Sequence, residues 1–114
     1  MADHISVRRA GGNWSIRAGG AVLGESKDAL ELTEGDYPPV IYFPRADIAM
    51  AFLEPSQTAT TCPHKGDAVY FSIVTKNKTL TDAAWSYEAP KDGVAMIRDH
   101  VAFHCGDAVT VERL

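Results

Sequence analysis

Apolar and polar residues alternate along most of this chain with a period of two. Ile5 and Val7 are interleaved with polar residues, and Trp14, Ile16 and Ala18 repeat the pattern. Successive side chains of a β-strand point to opposite faces, so this period predicts strands with one buried face. Glycine pairs at 11–12 and 19–20 separate the runs and supply the positive φ that tight hairpins need. We therefore predict a three-stranded meander over residues 4–9, 14–18 and 21–25.

The remainder of the chain is also rich in predicted strands. The helical expectations are one proline-led turn at 44–48 and a short helix over 92–99, where apolar residues recur every three or four positions. Residues 29–32 favour a strand, although the preceding Ser26-Lys27-Asp28 also suits a helix N-terminus. The other predicted strands are 40–43, 49–53, 57–62, 68–75, 79–87, 101–105 and 108–112, with a break at Glu54-Pro55-Ser56. The sum is a mostly β domain, either two packed antiparallel sheets or a small open barrel.

Length and charge limit the possible classes of function. The 114 residues, 46% of them hydrophobic, suit a single domain over residues 1–114 with one core. The net charge of −4 disfavours a general binder of nucleic acid or anionic membranes, because such proteins carry a basic face. No apolar run approaches the roughly 18 residues of a membrane span, and the N-terminal segment lacks the apolar region of a secretory signal. We expect a cytoplasmic protein whose two cysteines stay reduced.

The segment Thr60-Thr61-Cys62-Pro63-His64-Lys65-Gly66 gathers a thiol, an imidazole and an ammonium. Pro63 favours an extended Cys62, and Pro63 with Gly66 favours a turn into the next strand. Lys65 or a protonated His64 beside the thiol would lower its pKa and raise the thiolate fraction. Cys62 is therefore a candidate nucleophile, with Lys65 stabilising negative charge and backbone N–H groups near Gly66 assisting. The structural alternatives are a half-buried cysteine in a corner of the core and a solvated turn lysine.

Aromatic residues supply the other half of the predicted site. Trp85 and Tyr87 share one face of the strand 79–87, where they can stack a planar ligand or cover the core. Tyr70 lies on the face opposite Val69 and Phe71 and so points away from the predicted core. The predicted ligand-binding residues are His64, Gly66, Tyr70, Trp85 and Tyr87, beside the candidate catalytic pair Cys62 and Lys65.

A metal site is not expected. His100 and His104 would stand ~13 Å apart on one strand, too far for both to bind one ion. Cys105 shares the apolar face of Val101 and Phe103, which is typical of a core residue. Cys62 and His64 alone do not supply the four ligands of a structural zinc site. We expect no metal and no cofactor.

Four segments of the chain resemble the DUF427 family in order and spacing, over roughly residues 18–112. They are Tyr42-Phe43-Pro44-Arg45-Ala46-Asp47-Ile48, Thr61-Cys62-Pro63-His64-Lys65-Gly66, Ala83-Ala84-Trp85-Ser86-Tyr87-Glu88-Ala89-Pro90 and His100-Val101-Ala102-Phe103. The resemblance implies a compact all-β domain of the β-tent or Mss4-like type, with two antiparallel sheets crossing steeply. It implies no known activity. A nucleotidyltransferase label accompanies some of these domains, but this chain lacks the Gly-Ser helix start and the Asp-x-Asp pair that hold metal and triphosphate.

One position departs from the resemblance, because the family usually has a tyrosine where this chain has His104. Any role of an aromatic hydroxyl at that position does not carry over to this chain.

Two functions of different classes follow from these observations. The first is binding of a small molecule in a cleft lined by the turn 62–66, Trp85 and Tyr87, with an enzyme using the Cys62 thiolate as a variant. The second is an interaction module without chemistry, whose strand edges pair with another protein or with a second copy in a homodimer. In both, nucleic acid and membrane are not expected partners.

Overall fold

The computed structural model describes residues 4–114, so residues 1–3 of the predicted domain lie outside the described residues. Most of the described range is β-strand. Its strands are β1 (Ile5–Arg9), β2 (Trp14–Ala18), β3 (Ala21–Ser26), β4 (Leu30–Glu34), β5 (Val40–Pro44), β6 (Leu53–Cys62), β7 (Gly66–Val74), β8 (Thr79–Tyr87), β9 (His100–Phe103) and β10 (Val109–Arg113). Short 3₁₀ turns lie at Arg45–Asp47, Met50–Phe52 and Asp92–Ile97.

The strands form a seven-stranded antiparallel sheet in the order β1-β4-β5-β9-β8-β7-β6 and a three-stranded sheet in the order β10-β2-β3. The predicted all-β class with two antiparallel sheets is therefore confirmed. The predicted β2–β3 hairpin is also present: Ala18 pairs with Ala21 across Gly19 and Gly20, whose φ values are 56° and 86°. Positive φ at both loop residues matches the twist of the flanking strands.

The predicted meander is wrong in one respect, because β1 does not join β2 and β3. It pairs with β4, from Ile5 with Glu34 to Arg9 with Leu30. The free edge of β2 is taken instead by β10, a strand from the other end of the described chain. The glycine pair at 11–12, with φ values of 74° and 77°, thus carries the chain from one sheet to the other.

The large sheet is apolar on both faces. One face packs against the three-stranded sheet in a first core, where Ile16, Phe43, Ile73 and Val101 are fully buried. The other face forms a second core. Its buried members are Leu30, Leu32, Tyr42, Ala68, Tyr87, Val94, Ile97 and Ala102. Each large apolar side chain removed from water contributes roughly 1.5–3 kcal/mol, so both faces stabilise the domain.

Two predicted features around β6 are wrong. Residues 50–52 form a 3₁₀ turn instead of a strand, and the N–H of the preceding Ala49 donates to the carbonyl of Leu23 in the three-stranded sheet. The predicted break at 54–56 is absent from the described β6, which continues through Pro55 with a register shift before Ala59. Proline is tolerated there because β6 is an edge strand and not every N–H needs a partner.

The predicted short helix over 92–99 is present as a shorter 3₁₀ segment and not as an α-helix. Residues 92–97 form 3₁₀ turns with a kink at Val94, whose φ of −132° is not helical. Val94 and Ile97 are buried three residues apart, which suits the three-residue period of a 3₁₀ turn.

The prediction that Cys105 is a core residue is wrong, because its side chain is exposed. Strand β9 ends at Phe103, so the alternation of buried and exposed faces does not extend to Cys105.

None of the helical segments among residues 4–114 has the length and apolar character of a helix that crosses a membrane.

Candidate functional site

The turn that carries Cys62 joins the long strands β6 and β7. Cys62 pairs with Gly66, so Pro63, His64 and Lys65 form a three-residue loop. Gly66 has a φ of 113°, and a Cβ added there would lie 3.2 Å from the carbonyl oxygen of Ala89. Only glycine fits this combination without strain. Gly66 therefore sets the shape of the turn, while His64 is exposed at its tip.

Lys65 leaves the turn toward the interior and not toward water. Its side chain is only 12% exposed, and Nζ donates a 2.8 Å hydrogen bond to Oε1 of Glu34 at the end of β4. The same ammonium lies 5.9 Å from the ring centroid of Tyr87. Burial lowers the pKa of Lys65, but the hydrogen bond to Glu34 and the interactions with Tyr87 and Cys62 together outweigh it, and the net pKa is raised. The amine is therefore held in its charged form.

Cys62 lies at the base of the turn, half-buried against the second core. Burial raises the pKa of its thiol, but the backbone N–H groups of His64 and Lys65 and the Lys65 ammonium favour the thiolate, and the net pKa is lowered. A thiolate is the nucleophilic form of cysteine. This turn thus combines a half-buried thiol with a neighbouring positive charge.

Tyr42 connects this region to Trp85. The indole Nε1 of Trp85 donates a 3.2 Å hydrogen bond to the Tyr42 hydroxyl, and the two rings meet edge to face at 6.4 Å. Tyr42 is buried, and burial raises the pKa of its hydroxyl, so the group stays protonated. His104 also lies against Trp85, with the two ring centroids 4.4 Å apart. Position 104, where the resemblance leads one to expect a tyrosine, therefore still carries an aromatic ring but no hydroxyl.

Trp85 also lines an open cleft of about 370 Å³. Strands β5 and β9 pair at Phe43 with Val101 and at Pro44 with His100, and the cleft lies beyond these pairs. Trp14 of the three-stranded sheet and the carboxylate residue Glu31 contribute to its wall. The remaining lining residues are Pro39, Val40, Ile41, Phe103, Cys105 and Val111. The wall is mostly apolar, as is typical of sites for small organic ligands.

The chain matches a known protein family over almost its full length. The family model of the domain of unknown function DUF427 matches residues 6–113. The chain belongs to the DUF427 family. The resemblance inferred from the four sequence segments is therefore confirmed. No curated protein matches the chain at a significant level.

In this DUF427 domain five of the seven predicted site residues lie at the second core, and His64 and Gly66 lie in the neighbouring turn. Cys62, Tyr70, Trp85 and Tyr87 all pack on the second core, on the same face of the large sheet. Lys65 joins them through Tyr87. Trp85 alone among the seven belongs to the cleft wall, whereas the residues of the turn 62–66 are not part of that wall.

Four contributors to the two regions of the DUF427 domain were not singled out from sequence: Glu34, Tyr42, Trp14 and Glu31. The alternation that predicts strands could have identified Glu34, because it continues the face of Leu30 and Leu32 as a polar residue on an apolar face. The contact of Tyr42 with Trp85 joins β5 to β8, which are not neighbours in the chain, so no local signal indicates it.

Among residues 4–114, no group of three or more His, Cys, Asp or Glu side chains is placed to hold a metal ion.

Proposed function

We propose that this DUF427 domain binds a small organic molecule in the cleft beside Trp85. The observation that carries the proposal is a mostly apolar cleft of about 370 Å³ walled by two tryptophans. Ligand sites are commonly concave, apolar and roughly 300–1,000 Å³ in volume, with a few polar groups that orient the ligand. The cleft has the same composition, with one carboxylate and one thiol among apolar side chains.

The position of the cleft supports the same function. Val40 and Trp85 pack against the second core, whereas Ile41 and Phe103 belong with the first, so the wall joins both packed layers. Pro39 and Cys105 lie outside strands, but β5 and β9 are each held by a second hydrogen-bonded neighbour, β4 and β8. A ligand would therefore meet a largely preformed site, which reduces the entropy lost on binding.

The chain contains only two tryptophans, and both line the cleft, which makes the test direct. A library of small neutral, cationic and anionic apolar compounds is titrated into isotope-labelled protein. The two indole N–H resonances are followed by NMR and assigned with Trp14→Phe and Trp85→Phe. We expect some compounds to shift both resonances in a saturable manner. A library that moves neither resonance would overturn the proposal.

A matched pair of valines controls this experiment. Val111 lines the cleft from β10, whereas Val22 is exposed on β3, and both strands are edges of the three-stranded sheet. Val111→Phe should fill the cleft and abolish binding, and Val22→Phe should leave it unchanged. Equal effects of the two substitutions would contradict binding in the cleft.

A second candidate function is enzymatic, with Cys62 as the nucleophile, and the turn geometry is what favours it. Two backbone N–H groups and the Lys65 ammonium act on the sulfur and lower the pKa of the thiol. In such a reaction the thiolate would add to a carbonyl carbon of the substrate, the C=O π electrons would move onto the oxygen, and Lys65 would stabilise the resulting negative charge. Glu34 supports this role, because its hydrogen bond to Lys65 favours the protonated amine.

Thiol alkylation tests this second function. Iodoacetamide labelling of Cys62 is followed by peptide mass spectrometry across pH, with the exposed Cys105 as internal control. We expect the labelling midpoint of Cys62 to lie below the ordinary cysteine pKa of about 8.5. Lys65→Met should move that midpoint upward, because the thiolate loses its neighbouring charge. A midpoint at or above the ordinary value, or one unmoved by Lys65→Met, would count against the enzyme.

A further inference from the structure

We infer that the ligand class of the cleft is an organic cation: an alkylated ammonium group carried on a small apolar body. This inference rests on the proposed small-molecule function and adds the charge of the ligand. Three features of the cleft wall carry it, namely the hydrogen bonds of the two indoles, the charges of the lining side chains and the contacts of Glu31.

The indole N–H groups of the wall are already used within the protein. Nε1 of Trp14 donates to the carbonyl oxygen of Gly11 at 2.8 Å, and Nε1 of Trp85 donates to the Tyr42 hydroxyl at 3.2 Å. The two side chains therefore offer the cleft carbon and π surface and not a hydrogen-bond donor. The π surface of tryptophan attracts cations more strongly than that of any other side chain, and this attraction grows when water is excluded.

The charge of the lining side chains has a single sign. Among the lining residues within the described chain, Glu31 carries the one carboxylate, and no lysine, arginine or histidine contributes. A phosphate or carboxylate ligand would find no cationic side chain in this wall to offset the loss of its hydration. An ammonium ligand would find both a carboxylate and aromatic surface.

Glu31 is partnered by Arg8, but this pair leaves one oxygen for a ligand. Nε and Nη2 of Arg8 lie 2.9 Å and 2.8 Å from the same atom, Oε1 of Glu31. Oε2 thus keeps its acceptor capacity, and the Glu31 side chain is partly exposed. The Arg8 side chain is 74% exposed, so water screens its charge far more than that of a cation enclosed in the cleft. A bound cation would therefore share the charge of Glu31 with Arg8.

The test compares choline with its uncharged carbon isostere, in which a tert-butyl group replaces trimethylammonium. Both are titrated into the labelled protein, and the two indole resonances report binding. We expect choline to bind about tenfold more tightly than the isostere, as a partly desolvated cation–π contact would give. Glu31→Gln should weaken choline binding by about tenfold and leave the isostere unchanged.

Glu112→Gln is the matched control. Glu112 forms an ion pair with Arg17 across neighbouring strands at 2.8 Å, like the pair of Glu31 with Arg8, but it does not line the cleft. This substitution should change neither affinity. The remaining resonances of each variant show that its fold is intact.

The outcomes separate this inference from the proposed function. The inference of a cationic ligand is overturned if the isostere binds as tightly as choline or if Glu31→Gln leaves choline binding unchanged. Either result leaves a cleft for neutral molecules. If neither probe shifts an indole resonance, the cation inference fails, and the library titration decides the proposed function separately. If only neutral or anionic compounds of that library bind, the proposed function of the cleft is retained and the inference of a cationic ligand fails.

Discussion

The Cys62 turn and the Trp85 cleft both receive a carboxylate from β4, but in different surroundings. Glu34 binds Lys65, whose side chain is 12% exposed, and Glu31 binds Arg8, whose side chain is 74% exposed. Both shortest N–O distances are 2.8 Å. Water screens the exposed pair and leaves it almost neutral for stability, whereas a buried charge depends on its partner. Equal geometry thus holds a largely buried cation in one region and an exposed one in the other.

The largest expected difference between the regions is in the free energy of unfolding. Glu34→Ala leaves the Lys65 ammonium with little water and no carboxylate, and we expect a loss of about 2–3 kcal/mol. Glu31→Ala should cost less than about 1 kcal/mol, because Arg8 regains full hydration. Urea denaturation followed by circular dichroism measures both values.

The double variant Glu34→Ala with Lys65→Met provides the control for that loss. Methionine keeps much of the apolar stem of lysine but removes the charge, so part of the stability should return. A cost of Glu34→Ala no larger than that of Glu31→Ala would show that the two carboxylates do not differ in the way proposed.

Gly66→Ala sharpens the comparison by testing how rigidly the turn is built. The φ of Gly66, 113°, is strained for any residue with a side chain. An added Cβ would also lie 3.2 Å from the carbonyl oxygen of Ala89. We expect a loss of about 1–2 kcal/mol in the same denaturation measurement. Gly93→Ala is the matched control, since Gly93 has no positive φ and open space around its Cβ position, and it should be nearly neutral. If both glycines tolerate alanine equally, the turn is not constrained at Gly66.

Much of the fold follows from the alternation of residues, because alternation is a local property. It correctly places Trp85 and Tyr87 on one face of β8, whereas Tyr70, predicted to point away from the core, packs against the second core. It also predicts the β2–β3 hairpin, where two glycines set the loop length. These features need only neighbouring residues for their explanation.

The order of strands in the sheets is not local, and the cleft depends on it. The cleft exists because β5 lies between β4 and β9 and because β10 brings Val111 near Trp14. No residue pattern within β5 or β9 indicates where the two strands cease to pair. For the same reason, the turn could be singled out from Cys62 and Lys65, whereas the contact of Lys65 with Glu34 depends on the β1–β4–β5 arrangement.

The smallest expected effect concerns Tyr42, which links the two regions through Trp85. Tyr42→Phe removes the acceptor of the Trp85 N–H while keeping the edge-to-face ring contact. We expect a loss of about 1 kcal/mol and a shift of the Trp85 indole resonance, with the Trp14 resonance unchanged because its acceptor is the Gly11 carbonyl. Tyr37→Phe is the control, since Tyr37 is 74% exposed and should give no effect. If Tyr42→Phe leaves both stability and the Trp85 resonance unchanged, the hydroxyl does not hold the indole. The cleft wall would then be independent of the second core, and the Trp85 N–H would be free to donate to a ligand of either charge.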